Sequence, residues 1–390
     1  RLLDQSKSLS AQGVRAGAAL TLEPLGEGAA DMVYDDLTEA VGQVVEQVST
    51  PWTREDARTL AALAAAGLIF VAALLLATTP PDALTALDPQ AVTRYNLIAG
   101  SIGIVSALLV TATSVVMARK YPGASGVALA HTVPLLTAAA ALRLSQSHWD
   151  TAGWGWTGLG LLIGALAVLT LPKRYRISIA APLVVGTVLA ATGLLVRLGQ
   201  LSQAGISAIL FALIIVLLQV APWIALAHIP VRILDADTTE QIPAKGITDQ
   251  VSNSFVFVVA LRSGGAIAAL FLTVSLMTAP ETRSVTLPLT LIMLGAVSLV
   301  LQTRSIRARV EVLLGALTGL IVILVATVLG AYADPRTMPW LTLSAIATAL
   351  VLVVTNVVGP RARPHLTRIA DTISVLSLFV LLPLAVYLWS

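Results

Sequence analysis

The sequence predicts an all-α polytopic membrane protein with eleven transmembrane helices, and three observations lead to this fold class. Of the 390 residues, 57% are hydrophobic and only 12% are charged, and the mean hydropathy is +0.88. A soluble domain carries about 25% charged residues. From residue 58 onward, apolar runs long enough to span a hydrocarbon core, about 20 residues each, follow one another. Lys and Arg concentrate in every second loop between these runs, as in proteins that cross a membrane many times.

The predicted spans are continuously apolar, which favours helices over the strands of a membrane barrel, where lipid-facing and lumen-facing residues alternate. Short segments that are polar or contain Pro and Gly connect them. In chain order the predicted spans are residues 58–78, 94–116, 126–146, 154–171, 178–197, 203–229, 254–278, 285–302, 310–331, 339–358 and 370–389.

The basic residues also predict how the chain is oriented in the membrane. Each even-numbered loop holds two or three Lys or Arg residues, whereas each odd-numbered loop has one, either within it or near the end of an adjoining span. Because cytoplasmic loops carry the basic excess, we expect a cytoplasmic N-terminus and a C-terminus on the opposite side. The same loops account for the net charge of +3 and the pI of about 9.4, so nucleic acid is not expected as a partner. The first residue is Arg1 rather than Met, and we expect the native protein to start further upstream.

Residue types that carry chemistry are scarce in the predicted spans. The sequence contains no cysteine, which removes thiolate metal ligands and cysteine nucleophiles. Asp and Glu are missing from the central part of every predicted span, which argues against a carboxylate proton relay. P-loop, G-x-S-x-G and H-E-x-x-H motifs do not occur, and no His pair has metal-ligand spacing. We therefore expect no enzyme activity, no catalytic residue, no cofactor and no metal site.

A stand-alone secondary transporter or lipid flippase is the alternative function. Such a protein would need discontinuous helices and a polar cavity near the middle of the membrane. His131, close to Pro134 in the third span, is either a proton carrier or a hydrogen-bond donor between helices. Arg262 lies about two turns into the seventh span. It could hold a lipid phosphate or a partner carboxylate, or it could extend its charged end to the cytoplasmic headgroups.

Two Gly-x-x-x-Gly pairs mark candidate helix-packing positions, because glycine lets two helix backbones approach closely. Gly160 and Gly164 form the first pair, and Gly315 and Gly319 form the second. Either pair could serve packing within one chain or between two copies. Packing within the chain is favoured, since glycine is frequent in membrane helices.

Two polar segments lie on the predicted cytoplasmic side. Residues 31–48 place Val and Leu at intervals of three and four, which predicts an acidic helix whose apolar stripe faces protein rather than an anionic leaflet. The sixth loop, residues 230–253, is far longer than the usual connection of about 4 to 6 residues. It is either a solvated tether or a docking segment. In the second case the residues that would contact a partner are Arg232, Asp235, Asp237, Glu240, Lys245 and Asp249.

The N-terminal segment resembles the end of a ubiquitin-like domain. A tight turn at residues 11–13 leads into the alternating run 18–22, which is similar to the last strand of that fold. Together with the acidic connector, Trp52 and the eleven spans, this layout resembles the EccD family, the multispanning component of the mycobacterial ESX (type VII) secretion machinery.

The resemblance implies a division of the chain into three parts. Residues 1–25 would be a partial ubiquitin-like α+β domain, residues 26–57 an acidic amphipathic cytoplasmic connector, and residues 58–390 the eleven-helix transmembrane domain. The implied location is the inner membrane of a mycobacterium-like bacterium, with the N-terminus in the cytoplasm and the C-terminus in the periplasm.

The resemblance also implies a structural role rather than catalysis. In EccD-like proteins the ubiquitin-like domain docks on the secretion ATPase EccC, the membrane domain pairs with a second EccD copy, and EccB and EccE join the complex. The paired membrane domains enclose a wide vestibule that faces lipid. The expected partners are therefore these subunits and membrane lipids.

Overall fold

The computed structural model describes most of the membrane domain. The chain divides into two units, Arg1–Arg54 and Glu55–Ser390, and the described residues belong almost entirely to the second. The expected ubiquitin-like remnant, the acidic connector up to residue 52 and most of the tenth predicted span lie outside the described residues; the last residues of the connector belong to the first helix, which begins at Arg54. The described residues are 53–78, 89–121, 125–147, 149–199, 201–227, 244–281, 284–303, 308–343, 346 and 363–389.

Helices make up all the regular structure in these ranges. Short 3₁₀ segments cover Leu166–Thr170, Ile177–Ile179 and Pro335–Thr337. The α-helices are α1 Arg54–Thr78, α2 Pro89–Lys120, α3 Ser125–Ala130, α4 Val133–Leu144, α5 Thr151–Ala165, α6 Lys173–Arg176, α7 Ala180–Gly199, α8 Gln203–Ala227, α9 Ala244–Met277, α10 Thr286–Gln302, α11 Arg309–Ala333 and α12 Arg363–Trp389.

The predicted class, an all-helical polytopic membrane protein, is confirmed for the part of the chain that the structure describes. Nine helical segments there are long and apolar enough to cross a membrane, and α10 is a shorter apolar helix of 17 residues. In chain order these ten segments correspond to every predicted span except the tenth, residues 339–358.

Helix α9 is longer than the span predicted for it. The sequence predicts a loop up to residue 253, but the helix begins at Ala244 and runs for 34 residues, about 51 Å. A hydrocarbon core is about 30 Å thick, so a helix of this length extends beyond it. The boundary was misplaced because residues 244–253 are polar but contain no proline, and hydropathy reports burial in lipid rather than helix formation.

The third span is broken into α3 and α4 by a turn at His131 and Thr132. Pro134 lies in the first turn of α4, where its missing N–H is tolerated but a continuous helix through it is not. The groups at the break find partners nearby. Thr132 donates its N–H and its hydroxyl to the Leu129 carbonyl at 3.0 and 2.8 Å, and His131 Nδ1 lies 2.8 Å from the Val127 carbonyl.

The helices form two regions, which we name the N-terminal row and the C-terminal bundle. In the row, α2 packs on α4, α4 on α5 and α5 on α7, while α1 lies at its edge. The bundle consists of α8 to α12, and α7 joins the two regions by contacting α9. The largest buried cluster lies in the bundle; it includes Phe211 of α8, Leu272 of α9 and Leu291 of α10.

Candidate functional site

Four of the predicted docking residues, Arg232, Asp235, Asp237 and Glu240, lie outside the described residues. The other two belong to a helix rather than a loop. Lys245 and Asp249 stand in the first two turns of α9, in the part that extends beyond the membrane-spanning length.

Arg262 lies at the centre of a buried polar contact in the C-terminal bundle. Its side chain is only 5% exposed, and its Nε lies 3.8 Å from Oε2 of Glu311, in the first turn of α11. Its Nη1 donates to the Glu311 carbonyl at 3.5 Å. The carboxylate that Arg262 meets therefore belongs to its own chain, whereas the sequence suggested a lipid phosphate, a partner carboxylate or an exposed position among the headgroups.

The space beside Arg262 is too small for a lipid headgroup. A cavity of about 10 Å³ adjoins the guanidinium, lined among others by Leu218, Gln302 and Thr318. One water molecule needs roughly 10 to 15 Å³ of such space. A buried charge that is paired in this way holds α9 to the start of α11, because removing either partner leaves the other without compensation.

Neighbouring side chains extend this polar cluster to α8 and α10. The Gln219 amide donates to the Ser298 hydroxyl, and the Gln302 amide donates to the Gln219 carbonyl at 3.0 Å. At the opposite end of α8, Gln203 donates to the Ser275 carbonyl at 2.8 Å, and Ser207 and Ser275 share a hydrogen bond of 2.8 Å. Hydrogen bonds thus tie α8 to neighbouring helices at its start and in its second half.

The two predicted Gly-x-x-x-Gly pairs contact helices of the same chain. A Cβ on Gly160 would lie 2.5 Å from the Thr137 carbonyl oxygen, and one on Gly164 would lie 2.5 Å from Pro134 Cα, so this pair packs on α4. A Cβ on Gly315 would lie 2.9 Å from Thr303 Cγ2, and one on Gly319 would lie 2.9 Å from the Ala296 carbonyl oxygen. The second pair thus packs against α10 and the residue that follows it.

A second set of glycines, which the sequence analysis missed, joins α5 to α7. A Cβ on Gly158 would lie 2.7 Å from Ala190 Cα, and one on Gly193 would lie 2.5 Å from Gly155 Cα. Both backbones approach so closely that a methyl group has no room. The signal was present in the density of glycine along α5, but the spacing of three between Gly155 and Gly158 falls outside the Gly-x-x-x-Gly pattern.

Polar contacts hold α1 at its two ends. Arg143 Nε donates to the Leu76 carbonyl at 2.5 Å, and Trp149 Nε1 donates to the Ala77 carbonyl at 3.1 Å. These carbonyls belong to the last turn of α1, where backbone acceptors have no partner inside the helix. At the other end, the Arg58 guanidinium lies 4.4 Å from the ring centroid of Tyr121.

Large apolar side chains remain exposed along α1, α2 and α12, for example Leu68, Leu108 and Phe379. In a membrane-spanning domain such surfaces face lipid chains or another membrane protein. Groups of three His, Asp or Glu that could hold a metal ion do not occur among the described residues. What the described residues do present are exposed apolar faces and close packing contacts between helices.

Comparison with known proteins assigns the fold and the family. Among solved structures, the chain is similar to a chain in the structure of protomer 1 of the ESX-3 core complex, with a TM-score of 0.68 and 17% identity over 93% of this chain and 82% of that chain. It is also similar to a chain of the MycP5-free ESX-5 inner membrane complex in State II, with a TM-score of 0.59 and 16% identity over 83% of this chain and 78% of that chain. No curated protein sequence gives a match. The EccD-like transmembrane domain matches residues 57–390, and the chain therefore belongs to the EccD family.

Proposed function

We propose that this chain is a non-enzymatic membrane scaffold of a type VII (ESX) protein secretion complex. The observation that carries the proposal is the EccD-like transmembrane domain over residues 57–390. The similar folds of a chain in an ESX-3 core complex protomer and of a chain of an ESX-5 inner membrane complex support it. The energy for secretion would come from a partner ATPase, and this chain would supply anchorage in the inner membrane and surfaces for docking.

The proposed partners are a second EccD copy, the ATPase EccC, EccB and EccE. We assign ATPase docking to the cytoplasmic segments, namely the ubiquitin-like remnant of residues 1–25 and the acidic residues of the sixth loop. The start of α9, which contains Lys245 and Asp249, supports this assignment. The helix is longer than the hydrocarbon core is thick, so part of it lies outside the core, where a partner can bind.

The proposed vestibule would be enclosed between two copies of the membrane domain. The apolar faces of α1, α2 and α12 suit such a wall, because they expose long aliphatic and aromatic side chains without a mid-helix charge. Contact between such a surface and lipid chains costs no free energy, whereas its exposure to water is unfavourable.

Extraction in a mild detergent followed by mass measurement tests the scaffold proposal. The expected result is a particle that contains two copies of this chain together with the ATPase and the sister subunits. Recovery of a lone monomer under conditions that preserve other membrane complexes would contradict the proposal.

Replacement of Asp235, Asp237 and Glu240 with Ala tests the docking surface. We expect less of the assembled complex on native gels and normal membrane insertion, because insertion depends on the apolar spans and the basic residues beside them. The matched control replaces Asp82 and Asp88 of the first loop, on the other predicted side of the membrane. Equal assembly in both variants would reduce the sixth loop to a tether.

One observation favours the alternative, a stand-alone transporter or flippase. Discontinuous helices are typical of transporter binding sites, and the third span is broken at His131 and Thr132. The backbone and side-chain bonds at the break are local, however, so these groups already have partners. Reconstitution of the chain alone in liposomes decides the matter: solute flux that depends on a cation gradient would overturn the scaffold proposal.

A further inference from the structure

The edge of the N-terminal row contains an apolar cavity that the packing of its helices leaves open. It has a volume of about 190 Å³ and lies between α1, α4, α5 and α7. Its lining is apolar apart from one hydroxyl and the edge of an indole ring; Phe70 and Ala77 of α1, Leu135 and Ala139 of α4 and Thr157 of α5 contribute to it. An apolar cavity of about 150 Å³ in a protein stays dry and accepts a small hydrocarbon, so a cavity of this size takes apolar matter rather than water.

The cavity exists because α1 is held at its ends and packs little in between. Arg143 and Trp149 bind its last carbonyls, and Arg58 stacks on Tyr121 at its start. Along the whole 25-residue helix, only Ala62 and Ala73 are buried. A helix fastened in this way stands off from its neighbours and leaves a gap that is open to the surrounding bilayer.

Thr157 is the one threonine in this lining, and its hydroxyl oxygen is buried without a hydrogen-bond partner among the described residues. The residue is 6% exposed. Threonines in helices commonly donate to the carbonyl one turn earlier, as Thr192 and Thr273 do here at 2.8 Å. A buried hydroxyl that makes no such bond destabilises the folded protein unless an acceptor from elsewhere binds it.

We propose that this cavity binds one acyl chain of a membrane glycerolipid, and that Thr157 donates a hydrogen bond to the ester carbonyl of that chain. Thr157 follows the start of α5 by six residues, about 9 Å along the helix. Tryptophan prefers the headgroup level, so we place Trp149, which is half exposed beside the cavity, at that level. The polar layer of a bilayer is about 5 to 8 Å thick on each side, so Thr157 lies near the boundary where ester groups meet hydrocarbon.

The size and position of the cavity favour a lipid chain over other occupants. A volume of about 190 Å³ is too small for a helix of a partner protein but accommodates a segment of hydrocarbon. In the membrane, lipid chains are also the molecules present at its mouth at the highest concentration. The proposal does not depend on a role in secretion, and the flux experiment above leaves it untouched.

Photo-crosslinking in nanodiscs tests the site. The full chain is reconstituted with phosphatidylglycerol that carries a diazirine in one acyl chain, irradiated, and mapped by mass spectrometry. We expect labelling concentrated on the peptides that contain residues 70–77 and 135–142. Ala77→Phe, which fills the cavity from its half-buried edge, should reduce this labelling about fivefold or more. The control Ala112→Phe, on an exposed face of α2, should leave it unchanged.

The hydrogen bond is tested with ester-linked and ether-linked forms of the same lipid. The wild-type chain should prefer the ester lipid by about two- to tenfold, the range that one hydrogen bond supplies. Thr157→Val keeps the shape, removes the donor and should abolish the preference. Thr192→Val, a buried threonine on α7 whose hydroxyl already bonds within its helix, should keep it.

Three outcomes would overturn the proposal. The labelling could be spread evenly over α1, α2 and α12 and be insensitive to Ala77→Phe. It would then report only non-specific contact with the surrounding lipid. An ester preference that is equal in the wild type and in Thr157→Val would remove the role of the hydroxyl. Displacement of the label by free fatty acid as effectively as by phosphatidylglycerol would also contradict a glycerolipid ligand.

Discussion

Helices α1 and α8 are both 25 residues long and their most apolar 18-residue windows have nearly the same mean hydropathy, yet they occupy opposite environments. Only 11% of the apolar window of α1 is buried, whereas 61% of that of α8 is. Hydropathy therefore reports that a segment enters the membrane and not whether it faces lipid or protein. Lipid chains are as apolar as Leu, so an exposed aliphatic surface carries no penalty there.

Polar side chains distinguish the two helices. Between Thr59 and Thr78, α1 carries no residue with a polar side chain, whereas α8 carries Gln203, Ser207 and Gln219, which all bond to α9 or α10. A polar group inside the membrane must find a partner. In α8 these bonds run to neighbouring helices and hold it inside the bundle, whereas this stretch of α1 has no side chain that could form one.

Loss of the buried carboxylate should have the largest effect. Glu311→Ala leaves Arg262 buried without its partner, and we expect the free energy of unfolding, measured by titration with SDS in mixed micelles, to fall by about 3–5 kcal/mol. Glu55→Ala, at the exposed start of α1, serves as the control and should cost less than about 1 kcal/mol. Equal losses would mean that the pair in the bundle contributes no more than a surface charge.

A matched pair of Leu→Ala changes compares the two regions directly. Leu272 of α9 is fully buried, and its truncation should lower the free energy of unfolding by about 3 kcal/mol through the cavity that remains. Leu68 of α1 is 73% exposed, and its truncation should cost less than about 0.5 kcal/mol. The measurement can be repeated on the assembled complex. A large effect at Leu68 there would indicate that a protein partner, rather than lipid, covers this face.

Two Gly→Ala changes test backbone approach. In Gly158→Ala the new methyl group meets Ala190 of α7, and the strain should cost about 1–3 kcal/mol. Gly67 of α1 has no atom within 4 Å of the added Cβ, so Gly67→Ala should be neutral or stabilise by up to about 1 kcal/mol through helix propensity. The melting temperature in detergent should therefore fall for Gly158→Ala and stay the same or rise for Gly67→Ala, and an unchanged or higher melting temperature of Gly158→Ala would contradict the close packing of α5 on α7.

The smallest effect is expected at the end of α1. Trp149→Phe removes the hydrogen bond to the Ala77 carbonyl and keeps most of the ring, so we expect a loss of about 0.5–1.5 kcal/mol that is confined to the last turn of α1. Hydrogen exchange should increase in the peptide that contains Ala77 and remain unchanged in α8. Trp340→Phe, at an exposed position, is the control and should alter neither region.

The sequence by itself determined the fold class, the order of the spans and the family resemblance. These follow from local properties: a run of about 20 apolar residues inserts whatever its neighbours are, and ten of the predicted spans coincide with helices in the part of the chain that the structure describes. The glycine pairs were also visible in the sequence, although not the helices on which they pack.

Tertiary structure alone decided which residues meet. Arg262 and Glu311 are 49 positions apart, and Arg143 reaches a carbonyl 67 positions away, distances over which no local pattern operates. The extension of α9 to Ala244 and the close approach of Gly158 to α7 likewise depend on backbone geometry that hydropathy does not encode. Insertion into the membrane depends on each segment by itself. The arrangement of the helices depends on packing, hydrogen bonds and paired buried charges between all of them.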